Sequence, residues 1–221
     1  MKINIIIPAK GTSERIQNKN LLKINNQTLV YQTCKKVLSC KFVDNVYLDT
    51  ESDEIKYEVK DLLSMGLKLI HRPACLANND IGANEMMIYG LHSISDCDLL
   101  LQTFCTSPLL KAETIDKCIQ KYLDEGYPKY DSFFTVLEMQ EYFWQDNKPM
   151  NFSTKRLPNS FELDKMYMET HGLYGIMTSA LIETKTRVGK NPMLLPISRL
   201  QSLDINIEED LKLVKRVMNA S

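Results

Sequence analysis

Three cations stand close together near the start of the chain: Lys10, Arg15 and Lys19, in the stretch "PAKGTSERIQNKN". Ala9, Gly11, Thr12 and Ser13 lie among them. Small residues let backbone N–H groups approach an anion closely, and Lys and Arg side chains neutralise its charge. A nucleoside triphosphate is the kind of ligand such a loop suits. The plain alternative is a solvated basic surface. The Walker spacing G-x-x-x-x-G-K-[ST] is absent, and so is G-x-G-x-x-G, which argues against a P-loop and against a dinucleotide site.

The elements that must carry this loop follow from hydrophobic pattern. "INIII" (3–7) reads as a strand that ends just before the loop. Apolar runs at 45–50, 67–70, 97–103 and 131–139 read as further strands. Helical spacing or capping signals fill the intervals at 28–40, 52–66, 82–94 and 111–126, with Ser52 as a start signal and Gly66 and Gly126 as stops. Residues 169–177 resume as a strand, and 207–218 form a C-terminal amphipathic helix. Strands alternating with helices predict an α/β fold, a mostly parallel twisted sheet with helices on both faces. Ligands of such sheets sit beyond the carboxyl ends of the strands. The basic loop is at such an end, as are "DTES", "HRPACLANND" and "QTFCTSP" after later strands.

The pattern weakens from Gln140 to Met168, a stretch rich in aromatic residues with two prolines. We read 1–221 as one domain with an excursion at about 140–168, either a dimer contact or a lid over an acceptor. Its aromatic residues (Tyr142, Phe143, Trp144, Phe152, Phe161) are more apolar than a monomer's loop should expose.

With 27 basic and 28 acidic residues, the total charge makes no case for nucleic acid as a partner. The six cysteines form no CxxC pair and the three histidines are far apart, so a zinc site is not expected. The cysteines read as reduced packing residues of a cytoplasmic protein. No signal peptide is visible, and no run approaches the ~20 apolar residues of a membrane span.

Four motifs in order carry a resemblance. "IPAKGTSERIQNKN" is similar to I-P-A-R-x-x-S-x-R-x-x-x-K-N, matching at Ala9, Ser13, Arg15, Lys19 and Asn20, with Lys10 in place of Arg. "HRPACLANND" is similar to R-P-x-x-L-x-x-D through Arg72, Pro73 and Leu76, with Asp80 one residue beyond the pattern's Asp. "LLQTFCTSPLL" resembles L-L-Q-x-T-S-P-L-R, with two extra residues after Gln102 and no final Arg. "SLDINIEEDL" resembles S-I-D-I-D-T-x-x-D-L. The chain thus resembles the acylneuraminate-type cytidylyltransferases as a divergent member, over nearly its whole length.

That resemblance implies a nucleotide-diphospho-sugar transferase-like fold and a CTP-dependent nucleotidyltransferase. The enzyme would move CMP from CTP to an acidic sugar of the sialic or ulosonic type and release pyrophosphate, with Mg²⁺ as cofactor. It implies a homodimer formed through the excursion, and a role in making CMP-sugars for cell-surface polysaccharide. Carried over residue by residue, Ala9 to Ser13 would face base and phosphates and Lys10 the α-phosphate. Arg15 and Lys19 would hold the β- and γ-phosphates, while Arg72, with Asp80, would lie on the nucleotide side near the cytosine. Gln102, Thr106 and Ser107 would line the acceptor pocket. Lys10, Arg15, Lys19 and Asp204 would be the catalytic set, with Asp204 and Asn206 at the metal.

Departures from the family pattern open alternatives. Asn206 stands where the family has a second Asp, and a neutral amide offers an oxygen without charge. Either Asp204 suffices, or Asp210 or Glu208 helps, or catalysis is impaired and the chain is a nucleotide-binding scaffold. In "METHGLYGI", Glu169 and His171 change the acceptor chemistry, and an acidic Glu169 facing a carboxylate acceptor would repel it. Lys155 and Arg156 could clamp a carboxylate or a phosphonate, so a different acceptor such as a phosphonate is the second enzyme reading.

Overall fold

A computed structural model describes residues 1–78 and 81–220. Asp80, expected on the nucleotide side, lies outside the described residues. The seven-stranded sheet is built from β1 (Ile3–Pro8), β2 (Asn45–Thr50), β3 (Leu67–His71), β4 (Leu99–Thr103), β5 (Ser132–Met139), β6 (Met166–Met177) and β7 (Pro192–Pro196). The spatial order is β7-β5-β6-β4-β1-β2-β3. β1 pairs in parallel with β2 and β4, β2 with β3, and β5 with β7. β6 pairs antiparallel with both β4 and β5.

The central strands are apolar on both faces because both faces are covered. Ile5 and Ile7 of β1 join Leu99 and Leu101 of β4 in one core, and Ile6 joins Leu100 in the other. The first core is closed by α1 (Leu29–Leu38), α4 (Ala112–Lys121) and α6 (Glu208–Asn219), and is joined by Ile55 of α2 (Asp53–Glu58). The second is closed by α3 (Ala83–His92) and α5 (Thr178–Thr184). Helices therefore lie on both faces, as expected.

Local signals explain the boundaries. The Thr28 hydroxyl accepts from Tyr31 N at 3.3 Å at the head of α1, and Ser52 accepts from Ile55 N at 3.3 Å at the head of α2. Such a cap contributes about 1 kcal/mol. Beyond Glu58 the chain tightens into a 3₁₀ turn over Lys60–Met65 and closes on Gly66 at φ 102°. Gly90 lets α3 lie against β1, since a Cβ there would sit 2.2 Å from Ile6 Cδ1.

Two elements depart from the sequence expectation. β7 and α5 follow β6 in a stretch where the sequence pattern predicts no element. The excursion is also shorter at its far end, because β6 already begins at Met166, which pairs with Met139, the last residue of β5. Within 140–165 the chain forms a small hairpin of Trp144–Gln145 against Lys148–Pro149. Phe152 packs edge-on to Tyr142 and Trp144, with centroids at 5.0 and 5.3 Å. The six cysteines are free thiols; Cys34, Cys40, Cys105 and Cys118 are buried as packing residues, whereas Cys75 is exposed.

Candidate active site

A cleft of about 290 Å³ lies at the carboxyl end of β1. Lys10, Ser13, Arg15 and Lys19 line it from the basic loop, Arg72 from the turn after β3, and Phe104 and Thr106 from the turn after β4. Asp204 and Asn206, just ahead of α6, and His171 of β6 complete it. A second cavity of about 500 Å³ adjoins it, lined by Glu169, Thr170, Arg199 and Ser202 among others. His171, Asp204 and Asn206 line both, so they mark the junction.

The basic loop is held from below by a buried charge cluster. Arg72 Nε and Nη2 donate to Asp49 Oδ1 and Oδ2 at 3.1 and 2.7 Å, and their side chains are only 3% and 0% exposed. Burial pushes the Asp49 carboxyl up from its usual range, and the Arg72 bonds oppose that shift. Ala9 N donates to Asp49 O at 2.9 Å, and Gly11 N to Glu51 Oε1 at 2.6 Å. Asn20 Nδ2 donates to Lys10 O at 2.9 Å. The amides of Ala9 and Gly11 are thus spent inside the protein, which departs from the expectation that 9–13 as a whole presents its backbone to a ligand. The Arg72 guanidinium, expected near a base, borders the cleft but is committed to Asp49. Thr12 is exposed and does not line the cleft.

Lys19 reaches across to the other wall, where its Nζ donates to Ile205 O at 2.8 Å. Burial holds its ammonium below the ordinary lysine value; Asp204 opposes that shift and Arg15 reinforces it. Ile205 N donates to Thr106 O at 2.8 Å, which ties the segment carrying Asp204 to the turn after β4. Arg15 is exposed and makes no ion pair with any described residue.

Asp204 is 14% exposed. Its Oδ2 accepts from Asn206 Nδ2 at 2.7 Å and stands 3.8 Å from His171 Nδ1, while Oδ1 lies 3.5 Å from the Ser107 hydroxyl. Asn206 therefore orients the carboxylate and keeps its own Oδ1 as an oxygen donor. Asp210, a candidate second metal ligand, is engaged elsewhere. Its Oδ2 accepts from Asn206 N and Ile207 N at 2.8 and 2.9 Å and caps α6. Among the described residues no cluster of three His, Cys, Asp or Glu side chains exists. One carboxylate with amide oxygen is still a fitting set for Mg²⁺, which usually takes one or two carboxylates and completes its shell with phosphates and water.

A bulge puts His171 at the junction. The register of β6 against β5 shifts between Glu169 and Tyr174. Buried threonines satisfy the displaced backbone: Leu173 N donates to Thr135 Oγ1 at 3.1 Å and Thr103 Oγ1 to Gly172 O at 2.6 Å.

Other expected acceptor residues are placed differently. Gln102 is fully buried behind the wall and Ser107 is nearly so, and neither is among the described residues that line these two cavities. Thr106 lines the cleft on the side of the basic loop. Lys155 and Arg156 lie exposed on the excursion, outside both cavities, with Arg156 3.9 Å from Glu162. Glu169 and His171 do line the second cavity.

Two residues near the site escape sequence reasoning. Lys36 of α1 places its Nζ 3.4 Å from Ser107 O, and burial pushes it down to about 8. Arg187, from the loop after α5, reaches Gln102 and Glu169 at 3.3 and 3.4 Å. Neither has a local signal, since each acts through a partner distant in sequence.

The sequence model of the family described as Cytidylyltransferase matches residues 4–176. The chain belongs to the cytidylyltransferase family. This cytidylyltransferase is similar to the 3-deoxy-manno-octulosonate cytidylyltransferase of Thermodesulfovibrio yellowstonii at 22% identity, over 90% of this chain and 81% of that one. It is 22% identical to the pseudaminic acid cytidylyltransferase of Campylobacter jejuni, over 97% and 95%. A 2-C-methyl-D-erythritol 4-phosphate cytidylyltransferase of Clostridium botulinum is 30% identical over 126 residues, 56% of this chain and 54% of that protein. Among solved structures, a CMP:2-keto-3-deoxy-manno-octonic acid synthetase complexed with CTP has a TM-score of 0.71 at 13% identity, covering 100% of this chain and 99% of that one. At that identity the likeness is one of fold. The cytidylyltransferase is a CTP-dependent nucleotidyltransferase by family, and no helix among its described residues is long and apolar enough to cross a membrane.

Proposed function

We propose that the chain transfers CMP from CTP to an acidic 2-keto sugar of the ulosonic class and releases pyrophosphate. One observation carries this reading. Lys10, Arg15 and Lys19 line a cleft that meets a second cavity at Asp204, Asn206 and His171. Full-length relatives named for 3-deoxy-manno-octulosonate, its 8-amino analogue and pseudaminic acid support the acceptor class.

In this arrangement the cations hold the polyphosphate and balance the charge that grows on the leaving pyrophosphate. The acceptor sits in the second cavity, and an oxygen of it attacks the α-phosphorus at the junction as the bond to pyrophosphate breaks. Holding both partners in one orientation supplies much of the acceleration. Asp204, oriented by Asn206, would hold Mg²⁺. When bound, that ion supplies charge stabilisation at the phosphate oxygens.

The test is pyrophosphate release with CTP and Mg²⁺ against the three acids named above. Release with at least one supports the reading. CTP binding without release on any acceptor would favour the scaffold reading, for which Asn206 speaks.

The excursion fits a dimer contact. Trp144 and Phe161 are 56% and 75% exposed, and Met150 and Leu157 are exposed beside them. We assign it to an interface with a second copy of the chain. Light scattering should give twice the 25.5 kDa chain mass; a monomer would count against the assignment.

A further inference from the structure

Arg187 lies mostly behind the wall of the second cavity. Its loop is fixed on two sides. Arg187 N donates to Asn84 Oδ1 of α3 at 3.0 Å, and the Asp131 carboxylate accepts from Lys190 N and Asn191 N at 2.7 and 3.1 Å. The side chain, 14% exposed, lays its guanidinium on the Tyr174 ring, 3.6 Å from the centroid. It donates to Gln102 Oε1 at 3.3 Å and to Glu169 Oε1 at 3.4 Å. The Tyr174 hydroxyl donates to that same Glu169 oxygen. Burial pushes the Tyr174 phenol well up, so it stays a donor throughout the physiological range.

Glu169 is thereby held by one oxygen. Its Oε1 takes both donors, whereas Oε2 makes no hydrogen bond with any described residue. Glu169 also lines the second cavity. An unpaired carboxylate there would repel an acidic acceptor. Paired with a nearly buried guanidinium, the same carboxylate belongs to a pair with no net charge and still accepts hydrogen bonds. The buried Gln102 amide, held by Arg187 on its oxygen and 3.5 Å from Ala83 O on its nitrogen, makes the support rigid.

We propose that Arg187 is a positioning residue for the acceptor, neutralising Glu169 and fixing its Oε1 so that Oε2 receives a hydroxyl or amino hydrogen bond from the polyol end of an acidic sugar. The acid end then lies away from Glu169. This rests on the reading that the second cavity is the acceptor site.

The experiment compares the intact wild-type chain with Arg187→Met, Arg187→Lys, Glu169→Gln and the double variant Arg187→Met/Glu169→Gln. CTP affinity is measured first by calorimetry, then pyrophosphate release against 3-deoxy-manno-octulosonate, its 8-amino analogue and pseudaminic acid. Arg187→Met should raise acceptor KM roughly tenfold, about what an uncompensated Glu169 charge costs an acid group held several ångströms away at intermediate dielectric, with CTP affinity and kcat changed little. Arg187→Lys keeps the charge and should recover most of the loss. The double variant should be no worse than Glu169→Gln, because the effect of Arg187 vanishes with the charge it neutralises. An unchanged KM in Arg187→Met, or a double variant showing the sum of both losses, would overturn the proposal while leaving the acceptor reading intact. Wild-type protein that binds CTP yet releases no pyrophosphate with any of the three would overturn the acceptor reading, and this proposal with it.

Discussion

Replacing Arg72 by methionine keeps most of the side-chain volume and removes the cation that faces Asp49. Both side chains are almost wholly shielded from water, at 3% and 0% exposure. Breaking a buried pair in this way costs about 3–5 kcal/mol. Proton uptake limits the loss. From an unfolded value of 3.8 to pH 7 is about 3.2 pH units, and at about 1.36 kcal/mol each the ceiling is about 4.4 kcal/mol. At pH 5 the same arithmetic leaves about 1.6 kcal/mol. The sign follows from proton binding. In the variant the folded Asp49 holds its proton more tightly than the unfolded chain does, so stability falls as pH rises above 3.8. Urea unfolding at pH 7 and pH 5, with wild type beside the variant, reads the difference. The deficit should shrink on acidification by up to about 2.7 kcal/mol, two pH units at about 1.36 kcal/mol each, less whatever share the raised wild-type Asp49 contributes. An Asp49→Leu/Arg72→Met double variant should recover much of the loss at pH 7. A deficit equal at both pH values, or none at all, would refute the claim that Arg72 serves the fold through Asp49.

Arg15→Ala should weaken CTP binding about tenfold or more, the worth of a charge-assisted hydrogen bond, while its thermal unfolding matches wild type because the side chain is exposed. Unchanged affinity in calorimetry would remove Arg15 from the site. Asp204→Asn should lower Mg²⁺-dependent pyrophosphate release by several kcal/mol of barrier, about a hundredfold or more, yet leave CTP binding in EDTA detectable; full activity would refute the carboxylate's role. Gly90→Ala should destabilise by about 1–3 kcal/mol through overpacking, despite the better helix propensity of alanine, because the new Cβ meets Ile6; a denaturant midpoint at or above wild type would contradict that contact.

Much of the frame was legible because its signals are local. β1 is a β-branched run buried on both faces, Ser52 caps α2 as its spacing suggests, and Gly66 ends the turn that follows. The basic loop was legible too, since Lys10, Arg15 and Lys19 are neighbours in sequence. What the sequence hid depends on contacts between distant positions. Arg72 looked like a ligand contact, and its pairing with Asp49 exists only because β2 and β3 lie side by side. Lys155 and Arg156 had suitable chemistry, but the excursion carries them away from both cavities. Asp210 looked like a spare carboxylate and is taken by the backbone of its own helix start. β7 and α5 lie in a stretch with weak periodicity, and β7 gains its order from pairing with β5.

Calorimetric titration of the wild-type chain with CTP tests the central claim most directly. One nucleotide should bind per chain, with an affinity that falls as salt is raised, as expected of phosphate charge met by Lys10, Arg15 and Lys19, which line the cleft. Absence of binding, or binding indifferent to salt and to loss of Arg15, would contradict the account.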